Sequence, residues 1–248
     1  MKARDIVRSI RRMAVSFLYP QRCLGCEALL DDGRFFCPAC SGAVEPIIAP
    51  FCQRCGLPFA AGSLPVCGRC FRREPAFRQA RAWAYYDSPG KSLQPLSAAI
   101  QRCKYQRRLD SGAALAELAA EHCGLAAGGY DWILPVPLHI DRLRWRGFNQ
   151  SLLLARAIGA RHTIRVEPFV LQRIRPTLPQ TQLSQPRRRT NVRGAFAVSD
   201  PEGLRGKHLL LVDDVYTSGA TVEECARTLY QGGARTVDVF TLTRAVVR

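Results

Sequence analysis

Apolar residues follow two spacings along this chain. Ile6, Ile10, Met13 and Phe17 form a stripe at helical spacing, with Arg4, Arg8, Arg11 and Arg12 mostly off it, which predicts an amphipathic helix over 1–20. Packing of the stripe on the module that follows is the simpler reading, and contact with a partner or an anionic surface is the other. From about residue 78, helical patterns alternate with short apolar runs. Residues 91–104 and 111–123 predict helices, the second stopped by Gly124. Trp132 to Val136 predicts a buried strand, 149–159 a helix, and Gly194 to Val198 a short strand. His208 to Val212 is a continuous apolar run, as expected at the centre of a parallel sheet. Residues 220–231 predict a helix with Val222, Cys225 and Leu229 on one face, closed by Gly232 and Gly233, and Val237 to Thr243 a further strand. Strands alternating with helices predict an α/β fold with a mainly parallel sheet.

The stretch between these regions has a different grammar. Of eleven cysteines, eight form C-x-x-C pairs: Cys23/Cys26, Cys37/Cys40, Cys52/Cys55 and Cys67/Cys70. Each pair aims two thiolates at one ion, and two pairs complete a tetrahedron, so this duplicated unit predicts two structural Zn²⁺ sites. Gly25, Gly56 and Gly68 suit the tight turns. Sequential pairing is the assignment adopted, with an interleaved cross-brace as the alternative. A site closed by four thiolates has no open position for catalysis. Cys103, Cys123 and Cys225 stand alone and are expected to be small core residues.

The segment Leu211-Val212-Asp213-Asp214-Val215-Tyr216-Thr217-Ser218-Gly219-Ala220-Thr221 carries the sharpest chemistry. An apolar strand delivers two adjacent carboxylates, a loop of small hydroxyl residues follows, and a helix begins. Ligands of open α/β sheets bind beyond the carboxyl ends of strands, and a helix N-terminus accommodates phosphate. Thr217, Ser218 and Thr221 add hydroxyl donors, Gly219 allows close approach, and Asp213 and Asp214 suit hydroxyls or a divalent cation. The implied ligand is a sugar phosphate.

VDDVYTSGAT resembles the phosphoribosyl pyrophosphate (PRPP) loop of type I phosphoribosyltransferases. LPVPLHIDRLRWRGFNQ (134–150), the residues from Arg175 through Asn191 to Phe196, and the FLYPQRCLGC start resemble the ComF family of competence proteins. The resemblance spans about residues 17 to 243. It implies a type I phosphoribosyltransferase-like, mainly parallel sheet with an N-terminal double zinc ribbon, organised as a helix at 1–20, the ribbon at 21–75 and the α/β domain at 76–248. It further implies that Asp213 and Asp214 bind the ribose hydroxyls, and that Thr217, Ser218, Gly219, Ala220 and Thr221 hold the 5-phosphate. Pro137, Leu138 and His139 would form the pyrophosphate loop, residues 173–193 a hood, and Mg²⁺ would accompany the pyrophosphate. Thr217 stands where some purine-salvage relatives have Asp, which removes one obvious candidate base. No catalytic residue is assigned.

Composition sharpens this reading. In 248 residues, 47% hydrophobic and 23% charged residues exclude general disorder, while 36 Lys plus Arg against 20 Asp plus Glu give a net charge of +16. The excess gathers in three clusters that flank the loop in sequence. From these, Lys104, Arg107, Arg146, Arg175, Arg188 and Arg189 are candidates for hood or nucleic-acid contacts. PRPP and pyrophosphate explain such a lining, and single-stranded DNA explains it equally, with Tyr105, Trp145 and Phe148 to stack bases. Expected partners are therefore PRPP or a nucleotide, single-stranded DNA, and other competence proteins. An active phosphoribosyltransferase and a non-catalytic PRPP sensor both remain open as readings. No apolar run reaches the ~18 residues of a membrane span. Met13 to Leu18 is too short for a signal peptide. The expected location is cytoplasmic, with the N-terminal helix allowing a peripheral position at the inner membrane face.

Overall fold

The computed structural model describes residues 21–30, 33–59, 64–87, 94–125, 129–177 and 185–246; the helix expected over 1–20 lies outside them. Two four-cysteine knots come first, containing the short helices α1 (Pro38–Ala43) and α2 (Gly68–Arg72). Then follow β1 (Gln79–Tyr85), α3 (Pro95–Tyr105), α4 (Leu109–His122), β2 (Trp132–Pro135), α5 (Ile140–Arg146), α6 (Gln150–His162) and β3 (Arg165–Val166). The remainder comprises β4 (Leu171–Arg173), α7 (Gln185–Val192), β5 (Phe196–Val198), α8 (Pro201–Leu204), β6 (His208–Tyr216), α9 (Ala220–Gln231) and β7 (Thr236–Arg244). Five strands form one parallel sheet in the order β1-β7-β6-β2-β3, while β4 and β5 pair antiparallel outside it.

The cysteines pair sequentially. The sulfurs of Cys23, Cys26, Cys37 and Cys40 lie within 4.8 Å of one another, as do those of Cys52, Cys55, Cys67 and Cys70. Cys26 Sγ to Cys37 Sγ and Cys55 Sγ to Cys67 Sγ are each 3.7 Å. A tetrahedron with Zn–S bonds of about 2.3 Å has edges of about 3.8 Å, so both donor sets fit Zn²⁺. Backbone N–H groups of Cys37 and Cys67 donate to Cys23 Sγ and Cys52 Sγ at 3.3 Å each. Burial opposes thiolate formation at Cys23 and Cys52, but these donors outweigh it and draw the thiols down to about 6 and about 7. The glycines serve different ends. Gly56 sits at φ +69°, the left-handed position that Glu27 takes in the first knot at φ 65°. Gly25 lets Cys40 and Pro95 approach, and Gly68 needs neither freedom.

Each knot is built into one face of the sheet. Cys23 and Cys40 share an apolar cluster with Leu96, Leu115, Leu154, Leu210 and Val212. Cys52, Cys55 and Cys70 share the opposite one with Leu209, Leu211, Val222 and Cys225. Strand alternation sends Leu209 and Leu211 one way and Leu210 and Val212 the other. The three isolated cysteines are buried, as small core residues.

Element bounds move where hydrogen bonding outruns hydrophobicity. β6 continues past Val212 to Tyr216, because Asp213 and Val215 pair with Thr241 and Thr243 of β7. α6 runs to His162 before Thr163 turns left-handed at φ 55°. β1 was absent from the apolar pattern, since only Ala80 and Ala84 of its seven residues are fully buried. It is an edge strand, and the segment between the knots covers it through Ile47 N–H to Trp83 O (2.7 Å) and Tyr85 N–H to Glu45 O (3.0 Å).

Candidate functional site

A cleft of about 170 Å³ opens beyond the carboxyl ends of β2 and β6. Asp213, Asp214, Thr217 and Thr221 line it together with Lys104, Arg142, Arg146 and Arg173, and with Pro137 and Leu138. The two carboxylates sit on the strand itself, so alternation gives them different partners. Asp213 accepts from Ser151 Oγ at 2.8 Å, and Asp214 faces Lys104 Nζ at 2.6 Å.

The turn from α5 to α6 builds the floor. Gly147 ends α5 at φ 86°, a conformation that favours glycine. Asn149 accepts from Ser151 N–H at 3.0 Å, capping α6, while its Nδ2 donates to Val136 O at 3.1 Å. That double role fixes the start of α6 against the end of β2 and places Ser151 on Asp213. Arg146 is buried and donates to Gln150 one turn on, and its Nε has no partner among the described residues.

On the far side, Gly219 caps α9 at φ +77°, where an added Cβ would run into the Tyr216 hydroxyl. Arg69 of the second knot donates to Ser218 O at 2.6 Å, so the knot holds this loop directly.

Burial raises the Asp213 carboxyl, and the charge of Asp214 adds to it, bringing it to about 7. Burial works against the Lys104 ammonium, but Asp214 and then Asp213 outweigh it and hold the amine charged. An unfolded Asp ionises near pH ~4. Stability from the Asp213 proton is therefore full below pH ~4 and lost as pH rises to about 7. Asp213→Asn should abolish this loss. In urea titrations the variant's stability relative to wild type should rise between pH ~4 and ~7, and a constant difference would contradict the assignment.

Not every residue expected at the site reaches it. His139 caps α5, accepting from Asp141 N–H at 3.4 Å. Arg107 lies over the Trp145 ring at 5.9 Å, Arg175 donates to the carbonyls of Asn191 and Arg193 at 3.0 and 2.8 Å, and Arg189 faces Glu223 at 3.9 Å. The Arg188 side chain lies outside the described residues. Ala220 lines a neighbouring cavity with Glu223, and Ser218 is buried, its Oγ accepting from Ala220 N–H at 3.4 Å. Conversely, Gln150 and Ser151 join the cleft without having been singled out, and Arg142 and Arg173 join it from the basic clusters. The Arg146–Gln150 spacing of four, and Asn149 as a cap ahead of an apolar helix, were the legible signals for two of them.

The arrangement presents four cations and two carboxylates around a hydroxyl-bearing loop, which suits a polyanion that also carries hydroxyls. Among the described residues, no helix is long and apolar enough to cross a membrane. A family model for the double zinc ribbon domain matches residues 14–71. The chain is 36% identical over 215 residues to the DNA utilization protein YhgH of Salmonella typhimurium, covering 85% of this chain and 90% of that one. It is 31% identical over 234 residues to competence protein F of Haemophilus influenzae, covering 90% and 97%. Among solved structures it is similar to the glutamine PRPP amidotransferase of B. subtilis complexed with ADP and GMP. That match has a TM-score of 0.36 and 19% identity, covering 63% of this chain and 29% of that one. By its sequence relatives and its paired four-cysteine knots, the chain belongs to the family of DNA utilization protein YhgH and competence protein F.

Proposed function

We propose that the cleft binds PRPP together with Mg²⁺, and that the chain does so in the service of DNA utilization. The observation that carries this is the meeting in one cleft of Asp213 and Asp214 with Thr217, Thr221 and a rim of four cations. In this reading Asp213 and Asp214 accept from the ribose hydroxyls, and the loop holds the 5-phosphate through the Thr217 and Thr221 hydroxyls and the first N–H groups of α9. Pro137 and Leu138 flank the pyrophosphate, with Arg142, Arg146 and Arg173 opposing its charge. The two carboxylates are oxygen donors of the kind Mg²⁺ accepts beside substrate phosphates. The ion would neutralise the pyrophosphate and polarise it as a leaving group. The division into a ribbon at 21–75 and a phosphoribosyltransferase-like domain at 76–248 belongs to the same proposal.

A second occupant of the rim has its own support. Tyr105 is 58% exposed and Trp145 50%, with Arg107 over the latter, an arrangement that stacks bases and takes phosphate charge.

Titration of the zinc-loaded chain separates the parts. PRPP with Mg²⁺ should bind at least about tenfold more tightly than ribose 5-phosphate or pyrophosphate alone, since both halves of the cleft are then engaged. Equal affinity for pyrophosphate would reduce the cleft to a generic anion site. Displacement of PRPP by a single-stranded oligonucleotide would show that DNA shares the rim.

A further inference from the structure

A cavity of about 630 Å³ lies along a second face of α9, apart from the cleft. Thr221 of this helix borders the cleft, whereas Ala220, Glu223, Arg227 and Gln231, three or four residues apart, border the cavity. The other walls come from Arg73, directly after α2 in the second knot, and from Arg189, Arg193 and Gly194 around the end of α7. None of these residues lines the cleft. We propose that this cavity is a second anion site, for the terminal phosphoryl group of a phosphorylated small molecule.

The walls are unevenly charged. Among the described residues, four arginines and two glutamates line the cavity, with no Lys, Asp or His, which leaves an excess of two positive charges. Both glutamates are already engaged. Glu223, its side chain 8% exposed, lies 3.0 Å from Arg73, 3.5 Å from Arg227 and 3.9 Å from Arg189. Three guanidinium groups from three parts of the chain thus converge on one carboxylate. Glu224 accepts from Gly194 N–H at 2.8 Å and from Arg227 Nη1. Arg193 is exposed and makes no ion pair among the described residues.

That excess selects the ligand. A guanidinium presents paired N–H donors that match phosphoryl oxygens, and a single carboxylate uses few of the donors that three arginines offer. The Arg73, Arg189 and Arg227 side chains are 51%, 39% and 40% exposed, so a solute reaches them directly. A phosphodiester brings one negative charge, whereas a terminal phosphoryl group brings roughly 1.5 to 2 at neutral pH, which matches the excess. The volume falls within the range of about 300–1,000 Å³ usual for small-molecule pockets. Glu223 gathers the guanidinium groups and competes with the ligand for their N–H groups.

Isothermal titration of inorganic phosphate into the zinc-loaded full-length chain tests this. Glu223→Gln removes the competing charge and should tighten phosphate binding about tenfold or more. Arg193→Ala breaks no ion pair among the described residues and should weaken it about tenfold or more, the factor expected when a hydrogen bond from a charged donor is lost. Dimethyl phosphate, a monoanionic diester, should bind the wild type at least about tenfold more weakly than phosphate does. Retained zinc reports that both variants are folded. Their Mg²⁺-dependent PRPP binding should match the wild type, because neither residue lines the cleft. Unchanged phosphate affinity in either variant, or equal affinity for dimethyl phosphate, would overturn the site. A parallel change in PRPP binding would place the effect in the cleft and overturn it too. Failure of the wild-type chain to bind PRPP would count against the cleft reading alone, since the phosphate comparison does not use it.

Discussion

Substituting Cys52 with serine is expected to remove the second zinc ion and, with it, much of the fold. Cys52 is fully buried, accepts from two backbone N–H groups, and lies in the same apolar cluster as Leu209, Leu211 and Val222. A closed four-thiolate site contributes on the order of 10 kcal/mol of folding free energy. Whole domains are stable by only about 5–15 kcal/mol. Loss of one site is therefore comparable with the entire stability of the chain, and the knot's ties to the sheet, Arg69 to Ser218 and Arg244 to Cys55, go with it. Metal analysis should fall from two zinc ions per chain to one, with cooperative unfolding shifted down by tens of degrees or the protein insoluble. Cys225→Ser is the control: equally buried but outside both donor sets, it should retain two ions. Retention of two ions by Cys52→Ser would refute its place among the zinc ligands.

Lys104→Met should destabilise the chain by about 3 kcal/mol, the lower end of the range for removing one partner of a buried ion pair. The Asp214 side chain is 6% exposed and depends on the ammonium 2.6 Å away, while Lys104 itself is 21% exposed. Without it, two carboxylates line one low-dielectric cleft with no ammonium between them and solvent, and one must take up a proton. Adding Asp214→Asn to Lys104→Met should restore most of the loss, because the stranded charge is gone. Urea denaturation of the two single variants and the double variant measures the coupling directly. Strict additivity would mean that the pair contributes nothing.

These expectations trace back to unequal legibility. The zinc sites were readable because ligand spacing is a local, one-dimensional signal. The strand of Leu209 to Leu211 was readable because a central parallel strand is buried on both faces and shows as an unbroken apolar run. β1 was hidden for the opposite reason. As an edge strand it buries only Ala80 and Ala84 fully and leaves Arg81 and Trp83 partly exposed. At the site, Asp213 and Asp214 were visible as a pair, yet their separate fates were not. Ser151 and Lys104 reach them from α6 and α3, elements distant in sequence, and only the packing of those helices brings them there. The basic residues show the same limit. Charge excess announced an anionic partner, but packing decided that Arg142, Arg146 and Arg173 line the cleft while Arg175 holds the carbonyls of 191 and 193. The two knots also pack into the two apolar clusters and supply Arg69 to the loop, contacts that ligand spacing does not announce.

The account turns on whether Asp213, Asp214 and the 217–221 loop form a PRPP site. Isothermal titration of PRPP with Mg²⁺ into the wild-type chain and into the Asp213→Asn/Asp214→Asn variant measures this most directly. Saturable one-to-one binding by the wild type, weakened at least about a hundredfold in the variant, is the predicted result. Binding that is unchanged when both carboxylates are lost would contradict it.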